Sequence, residues 1–531
     1  MLELSDKMPA NNKHALHQLQ IKLAQTEALV PLTLLGLLTG LLAGGLLIAF
    51  RETVSLVSNS VLPVGEGRFE IMDSVNRLFL PVIGAVLLAG LFKSNPAHRR
   101  QFGIAHVIER LTFNRGRISL TSVTTQFVGA LIALVSGFSV GREGPAVHMG
   151  AGAGSFLGSR LNLPDNTLNT LAGCGTAAAI SASFNTPMAG VIFAMEVVMK
   201  EYALNRFIPV MAASVCAAVM SQAMYGPEPA FQIPLIPMAS LTELIISATS
   251  AVLIGALAAA FIKLNLFAAR QRKGHTARPL LIAGLLMGVT GFLIPEAMGM
   301  GYDSIGVILL NGGSLDMGFL IVLLACKVLM TATVTGLGVP GGIIGPSLVI
   351  GAIAGTLLGM IGDNLSGLTV TNVSFHALVG MVAMMAAVLQ APLAALVTVL
   401  EMTHNPHIIM PAMFTIIIAC LTSSQLFGQR GLFDMQFKTR GKQADLPPLT
   451  QHLHQTGVAC LMDTRFMEHS SIQSVHTISM QATLNDALQL MKKESVDVLP
   501  VLTISKNLDE NHKNLCGVIT REAIEAFYKP S

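Results

Sequence analysis

Uncharged segments long enough to cross a bilayer recur along the whole chain. A hydrocarbon core is roughly 30 Å thick and requires about 20 apolar helical residues. Runs of that length cover residues 28–50, 118–141, 207–227, 244–262 and 408–427. Only 12% of the residues are charged, whereas soluble domains have about 25%. One such run could be a buried core helix, but this many predict an all-α polytopic membrane protein.

Two longer uncharged stretches, 328–362 and 367–400, are interrupted by Gly and Pro near their middles. This pattern predicts broken, tilted or re-entrant helices. Irregular backbone at membrane depth is tolerated only where protein buries it or where it lines a polar cavity. Because discontinuous helices build ion sites in transporters, the pattern predicts a transport pathway.

The polar ends and loops predict how the chain lies in the membrane. The first 27 residues contain several charges and resemble no signal peptide. Basic residues cluster at 93–117, 270–278 and 430–442, which is typical of cytoplasmic loops. We therefore predict a multi-pass protein of the inner or plasma membrane with both termini in the cytoplasm. A net charge of +3 is too small to indicate nucleic-acid binding.

The first half of the membrane region resembles the second. Residues 144–158 align without gaps with 345–359, and Pro187 and Glu196 have the same spacing as Pro392 and Glu401. Gly and Ala recur in any closely packed membrane helix, but two matches in the same order favour a true repeat. Such repeats place the substrate at their interface near the bilayer midplane. The sequence leaves open whether the repeat is inverted.

The composition changes after Phe433. We predict an N-terminal cytoplasmic segment over 1–27, a membrane domain over 28–436 with repeats at about 28–230 and 240–436, a polar linker over 437–455 and a soluble module over 456–531. The module pattern is β-α-β-β-α, with strands at 475–478, 498–502 and 515–520 and helices at 484–492 and 521–527.

The segment Gly141-Arg-Glu-Gly-Pro145 carries the main candidate residue, Glu143. Pro is favoured at the first position of a helix, so Glu143 is predicted at a helix N-terminus, where free N–H groups attract anions. A carboxylate there can occupy the place of a mobile anion and leave it when protonated, which would make it a pH-sensitive gate. The alternative is a capping Glu or a partner for Arg142. Residues 339–346 offer an equivalent loop in the second half.

Gly141–Pro145, Gly342–Pro346 and Phe184–Pro187 resemble the signature segments of CLC chloride channels and transporters. The resemblance spans about 28–433. It implies the CLC fold of two inverted repeats, a homodimer with one pore per subunit, chloride or another small anion as the transported ion, no cofactor, and Glu143 as the external gate. It also implies anion contacts from the residues Phe102, Gly103, Ile104, Arg142, Gly144, Ile343, Ile344 and Phe433.

Three positions depart from the family pattern. Phe102 replaces a serine and Phe433 a tyrosine, so two hydroxyl groups are lost; either phenylalanine could instead be ordinary core packing. Val197 replaces the internal glutamate of proton-coupled members, and an apolar side chain cannot relay protons. Glu196 is uncertain as a proton carrier, and we expect it and Glu401 to hold helix ends.

The remaining polar residues give weaker signals. His148 could tune the proton affinity of Glu143 but is more typical of a satisfied interior residue, as are His376 and His404. The histidines show no metal-ligand cluster. The tail resembles a CBS module, but Ala523 stands where an acid usually follows the 517–520 strand. We therefore expect a packing or dimer role rather than nucleotide binding.

The sequence can be compared with three functional classes: an anion transporter, a serine hydrolase and a receptor. We predict a passive chloride channel gated by voltage or pH, with a proton-coupled chloride antiporter of the same fold as the alternative. A serine hydrolase could be argued from the G-x-S-x-G pattern at 137–141, but that pattern requires a strand-to-helix elbow and here ends a membrane-length run. A receptor would require a larger soluble domain. The chain is therefore not predicted to be an enzyme.

Overall fold

A computed structural model describes residues 29–62, 67–94, 102–228, 241–272, 277–311, 315–366, 373–439, 453, 456–463, 476–502 and 515–528. The predicted N-terminal segment and most of the predicted linker lie outside the described residues. The described membrane region is helical, as predicted. The helices of its first half are α1 Leu29–Val61, α2 Ser74–Lys93, α3 Gly103–Phe113, α4 Leu120–Val135, α5 Glu143–Arg160, α6 Asp165–Phe184, α7 Pro187–Phe193 and α8 Leu204–Tyr225.

The second half has a matching series of helices. They are α9 Leu241–Arg270, α10 Ala277–Leu293, α11 Tyr302–Asn311, α12 Met317–Leu337, α13 Ile344–Ser366, α14 Val373–Leu389, α15 Pro392–Thr403, α16 Ile409–Leu421 and α17 Leu432–Thr439. The long uncharged stretches break at residues 338–343 and 390–391, which confirms the prediction of discontinuous helices.

The two repeats are related in three dimensions as well as in sequence. Helices α5 and α6 pack against each other as α13 and α14 do. Left-handed backbone ends α6 at Asn185 (φ 59°) and follows α14 at Gln390 (φ 54°). The equivalent residues Gly141 and Gly342 pair in antiparallel fashion. The predicted architecture of two inverted repeats is confirmed.

Within the part of the chain that the structure describes, seven helical segments are long and apolar enough to span a membrane. The first of them is α1 and the last is the segment Pro406–Leu426. Among these seven, helix α13 is the most enclosed, with 83% of its most apolar part buried by protein. A helix that is apolar on all sides and surrounded by protein is typical of the centre of a membrane domain, and α13 begins at the candidate site.

Small residues allow close contacts between the helices. Gly36 and Gly40 of α1 form a G-x-x-x-G pattern that faces α8. A Cβ atom added to Gly36 would lie 2.6 Å from the carbonyl oxygen of Pro209, and one added to Gly40 would lie 2.9 Å from the Cα of Ala213. Only glycine permits this distance between the backbones.

The tail forms a small α/β module against the membrane domain. Its elements are β1 Ile478–Ser479, α18 Leu484–Glu494, β2 Val498–Leu502, β3 Leu515–Thr520 and α19 Arg521–Tyr528, with the sheet order β1-β2-β3. Strand β1 is shorter than predicted, and α17 runs to Thr439, past the predicted start of the linker.

Polar contacts join the module to the membrane domain. Arg115 forms an ion pair with Asp486 of α18 at 2.7 Å. The side chain of Gln481 donates to the carbonyl oxygen of Asn162 at 2.8 Å. Both membrane-domain residues lie in short loops at the ends of α3 and α5, so the module is docked on one end of these helices.

We expect Gly40→Ala to lower the melting temperature of the purified protein in detergent. The added methyl group forces α1 away from α8, and overpacking of this kind costs about 1–3 kcal/mol. The matched control is Gly90→Ala in α2, where nothing lies within 4 Å of the added Cβ. A Gly40→Ala protein as stable as the control would show that this contact does not determine the packing.

Candidate functional site

Two glycine-rich loops, one from each repeat, meet inside the membrane domain. The amide of Gly141 donates to the carbonyl oxygen of Gly342 at 2.7 Å, and the amide of Gly342 donates to the carbonyl oxygen of Gly141 at 2.6 Å. Each loop contains a left-handed glycine at its start, Gly137 (φ 72°) in the first and Gly338 (φ 99°) in the second. The loops lead into helices α5 and α13.

Glycine is required where these loops touch. A Cβ atom added to Gly144 would lie 2.7 Å from the Cα of Gly342, and one added to Gly342 would lie 2.5 Å from the backbone nitrogen of Gly144. Any side chain would therefore separate the loops. The absence of side chains keeps the N-terminal ends of α5 and α13 next to each other.

Glu143 is the first residue of α5, as predicted, and is completely buried. Its carboxylate crosses to the other repeat. One oxygen, Oε1, accepts a hydrogen bond from the hydroxyl group of Tyr302, and Oε2 accepts from the amide of Gly345 at 3.4 Å. The carboxylate therefore lies at the positive end of the α13 dipole, where an anion would also bind.

In the hydrogen bond that the structure shows, the guanidinium group of Arg142 binds a backbone carbonyl and not the Glu143 carboxylate. Its Nη2 donates to the carbonyl oxygen of Ser183, near the end of α6, at 3.1 Å. The contacts of Glu143 are thus to a neutral phenol and a backbone amide. A negative charge at this position is balanced by dipoles rather than by an ion pair.

A cavity of about 500 Å³ reaches the same place from one side. Its lining includes Arg270 and Thr439, the last residues of α9 and α17. We term this side the tail side, because the chain continues from α17 to the CBS-like module. At its inner end the cavity touches the predicted anion-binding residues Phe102, Gly103, Ile104, Gly144, Ile343 and Phe433. The structure therefore brings these positions of both repeats together in one space.

The two phenylalanines that replace hydroxyl-bearing residues both line this cavity. Phe102 is the residue before α3, and its ring stacks on Phe92 with a centroid distance of 4.9 Å. Phe433 is buried near the start of α17. Both also pack in the hydrophobic core, so the cavity wall at this level is apolar.

The amide of Gly103 already has a partner. It donates to Oε1 of Gln126 at 2.9 Å, and the side chain of Gln126 is fully buried. The predicted contact between Gly103 and an anion would require this carboxamide to move. Gln126 is a polar residue that the sequence reasoning missed, because glutamine within an apolar run carries no charge to draw attention to it.

Glu196 and Glu401 occupy equivalent positions and make equivalent contacts. The carboxylate of Glu196 accepts from the amides of Leu393 (3.2 Å) and Ala394 (2.7 Å). The carboxylate of Glu401 accepts from the amides of Met188 (3.0 Å) and Ala189 (2.7 Å). Each glutamate therefore caps a helix of the opposite repeat.

Val197 follows Glu196 in a π-helical turn, Ala194–Met199, and is 5% exposed. Its side chain belongs to the main hydrophobic core.

His148 is buried and its Nε2 lies 3.0 Å from the hydroxyl oxygen of Ser122. Among the described residues no three His, Cys, Asp or Glu side chains are grouped as metal ligands.

In the tail, the hydroxyl oxygen of Thr520 accepts a hydrogen bond from the amide of Ala523 at 3.2 Å. This contact caps the start of α19. The expectation that the tail has a packing role rather than nucleotide binding stays a prediction.

The membrane region matches the family model described as "Voltage gated chloride channel" over residues 84–424, and the tail matches the CBS domain model over 467–528. The chain belongs to the CLC family. Its function is accordingly chloride transport across a membrane.

Relatives and solved structures agree with this assignment. The chain is 28% identical over 437 residues to the H(+)/Cl(-) exchange transporter ClcA of Vibrio cholerae, covering 78% of this chain and 92% of that protein. It is 29% identical over 328 residues to ClcA of Salmonella arizonae, covering 60% of this chain and 69% of that protein.

Among solved structures, a slow cyanobacterial Cl-/H+ antiporter has a TM-score of 0.67 at 20% identity, covering 78% of this chain and 97% of that one. A eukaryotic CLC transporter has a TM-score of 0.61 at 18% identity and covers 96% of this chain and 98% of that one. These similarities establish the CLC fold.

Two further residues, one at the site and one on the neighbouring helix α12, were missed by sequence reasoning. Tyr302 begins α11, far along the chain from Glu143, and nothing in its local sequence marks it. Lys327 is different, because it is a single lysine inside the apolar run of α12. An ionisable residue at membrane depth is a signal for function or for a buried polar contact, so Lys327 could have been found.

We expect Phe102→Ser to bind chloride more tightly than Phe102→Ala in purified protein measured by isothermal titration calorimetry. The two substitutions remove the same ring, so the comparison isolates the hydroxyl donor. A hydrogen bond to a charged group contributes about 1.5 kcal/mol or more, which corresponds to roughly tenfold. Equal affinities for the two variants would mean that Phe102 does not face the anion.

Proposed function

We propose that this CLC protein exchanges chloride for protons, and that the Glu143 carboxylate is the gate of the anion pathway. The observation that carries the proposal is the position of the carboxylate. It lies at the amide end of α13 and contacts Gly345 and Tyr302. The cavity from the tail side touches Gly144, the next residue.

Competition between the carboxylate and chloride explains how such a gate works. An ionised carboxylate and a chloride ion both carry one negative charge, and both are stabilised by free amides at a helix N-terminus. While Glu143 is ionised and in place, it excludes the anion from the end of α13. Protonation removes the charge that holds it there, so the side chain can leave and an anion can take its place.

The anion would be held mainly by backbone dipoles. Ile343 and Ile344 stand at the start of α13, and Ile104 stands in the first turn of α3. No hydroxyl group is supplied by Phe102 or Phe433. Arg270 and Arg272 in the cavity wall would raise the local concentration of anions, since clefts lined with one sign of charge attract the opposite ion.

Exchange is preferred to passive conduction because the curated relatives are named H(+)/Cl(-) exchange transporters. This preference reverses the order of the two sequence-based hypotheses. A passive channel remains the second candidate, and one observation favours it: Val197 is apolar and lies in the core. Under the exchange hypothesis protons must reach Glu143 by a route that does not include this side chain.

We also propose that the protein works as a homodimer with one pathway per subunit and with both termini in the cytoplasm. Helices α15 and α16 carry exposed apolar side chains, including Leu393, Met410 and Phe414. In the proposed dimer, part of this apolar surface would contact the second subunit and the rest would contact lipid.

The proposal is tested by measuring chloride and proton flux together in liposomes that contain the purified protein. A chloride gradient is imposed and the voltage is set with potassium and valinomycin. Uphill proton movement at a fixed ratio to chloride is expected. Chloride flux without proton movement would instead establish the passive channel.

Glu143→Gln should abolish proton movement while chloride flux continues and loses its pH dependence. Glutamine has nearly the same size as glutamate but neither a charge nor a titrating proton. The measurement is the same liposome assay from pH 4.5 to 7.5. Unchanged proton coupling and pH dependence in this variant would contradict the gating role.

The paired glutamates permit a matched test of the proton route. Because Glu196 and Glu401 cap helices in the same way, Glu196→Gln and Glu401→Gln should cause similar losses of stability. We expect neither variant to change the ratio of protons to chloride, since both carboxylates are occupied by two amides. A selective loss of proton movement in Glu196→Gln would assign that residue to the proton route.

A further inference from the structure

Tyr302 contacts the gate and is not part of the lining of the tail-side cavity. It is the first residue of α11, and its hydroxyl group donates to Oε1 of Glu143. A Cβ atom added to Gly345 would lie 2.5 Å from the Tyr302 hydroxyl oxygen. The phenol is therefore next to the start of α13 and beside the carboxylate that it contacts.

The segment that precedes Tyr302 is held by a buried lysine. Lys327 of α12 is 0% exposed, and its Nζ donates to the carbonyl oxygens of Ala297 (3.1 Å), Met298 (3.2 Å) and Gly299 (3.0 Å). An ammonium group has three donors, and all three are used on consecutive residues. Burying a charge is costly unless it is fully hydrogen-bonded, so this segment and Lys327 stabilise each other.

The backbone of this segment is shaped around the ammonium group. Gly301 has φ +81°, and a Cβ atom there would lie 2.9 Å from Nζ of Lys327. Gly299 has φ +59°, and a Cβ atom there would lie 2.8 Å from the ring of Phe69. Glycine at both positions lets the chain turn tightly over Lys327 immediately before Tyr302.

The same segment is joined to the loop that carries Glu143. The amide of Gly299 donates to the carbonyl oxygen of Gly137 at 3.1 Å. The hydroxyl groups of Ser139 and Thr331 lie 2.8 Å apart, and Thr331 is one turn beyond Lys327 on α12. These bonds fix the position of the Tyr302 hydroxyl group relative to Glu143.

We propose that Tyr302 is a positioning residue that latches the gate closed, and that Lys327 sets the position of this latch. The proposal rests on the gating role proposed for Glu143. A hydrogen bond to an ionised carboxylate is roughly twice as strong as one between neutral groups. The latch is therefore strong while Glu143 is charged and weak once it is protonated, and it determines the pH at which the gate opens.

Other charged groups lie near this arrangement. Arg142 precedes Glu143, the carboxyl group of Glu70 lies near Lys327, and Asp303 and Glu296 lie near Glu70. Burial raises the pKa of Glu70, with Asp303 and Glu296 adding to the effect and Lys327 opposing it. Glu70→Gln serves to separate the contribution of this carboxyl group from that of the latch.

The test is the pH dependence of chloride flux in liposomes for Tyr302→Phe, Glu143→Gln and the double variant. Phenylalanine keeps the ring and removes the donor. We expect Tyr302→Phe to move the midpoint of the flux–pH curve about one unit toward alkaline pH, the order of one lost hydrogen bond to a charged group. In the Glu143→Gln background the same substitution should change nothing.

The controls distinguish the possible failures. Tyr202→Phe, at a side chain that is 57% exposed, should leave the curve unchanged. Lys327→Met should shift it as Tyr302→Phe does; if that variant does not fold, Tyr302→Phe decides alone. A wild-type curve for Tyr302→Phe, or an equal effect in both backgrounds, overturns the latch while the gate stands. A wild-type curve for Glu143→Gln overturns the gate and the latch together.

Discussion

The backbone pairing of Gly141 with Gly342 is the contact on which the site depends. It joins equivalent loops of the two repeats through two reciprocal hydrogen bonds of 2.7 and 2.6 Å. Because neither loop has side chains at the contact, the N-terminal ends of α5 and α13 come close enough for one carboxylate to span them. The helix dipoles then point into a common space without any fully charged ligand.

This arrangement would stabilise a negative charge inside the membrane domain. A buried carboxylate is unfavourable unless hydrogen bonds or opposite charges compensate it. Here the compensation comes from a phenol and the amide end of a helix, both of which belong to the second repeat. The first repeat supplies the carboxylate of the proposed gate and the second supplies the dipoles that contact it, which is why the proposed site requires both halves of the molecule.

The choice between exchange and conduction depends on where the proton goes after it reaches Glu143. A carboxylate that must be protonated to leave the pathway takes up one proton at each opening. If that proton returns to the side from which it came, the protein is a channel. If it continues to the other side, transport is coupled. Val197 cannot relay protons, which removes one possible route for coupled transport. The named relatives nevertheless support coupling. The described buried polar groups outside the anion cavity are therefore the candidates for a proton route.

Much of the site could be predicted from sequence, because the relevant signals are local. Gly and Pro within apolar runs mark helix breaks, and Pro145 fixes Glu143 at a helix start. The direction of the second repeat could be predicted only from the family resemblance, because residue spacing is the same for parallel and inverted copies. Tyr302 and Gln126 could not be assigned either, since their roles arise from packing between distant segments.

The central claim is that the Glu143 carboxylate occupies a position that an anion otherwise takes. Bromide-soaked crystals of the wild-type protein and of Glu143→Gln, compared by anomalous scattering, test it most directly. The account predicts a bromide peak within hydrogen-bonding distance of the Gly345 amide in the variant and none there in the wild type. An empty position in the variant, with the glutamine side chain held where the carboxylate was, would contradict it.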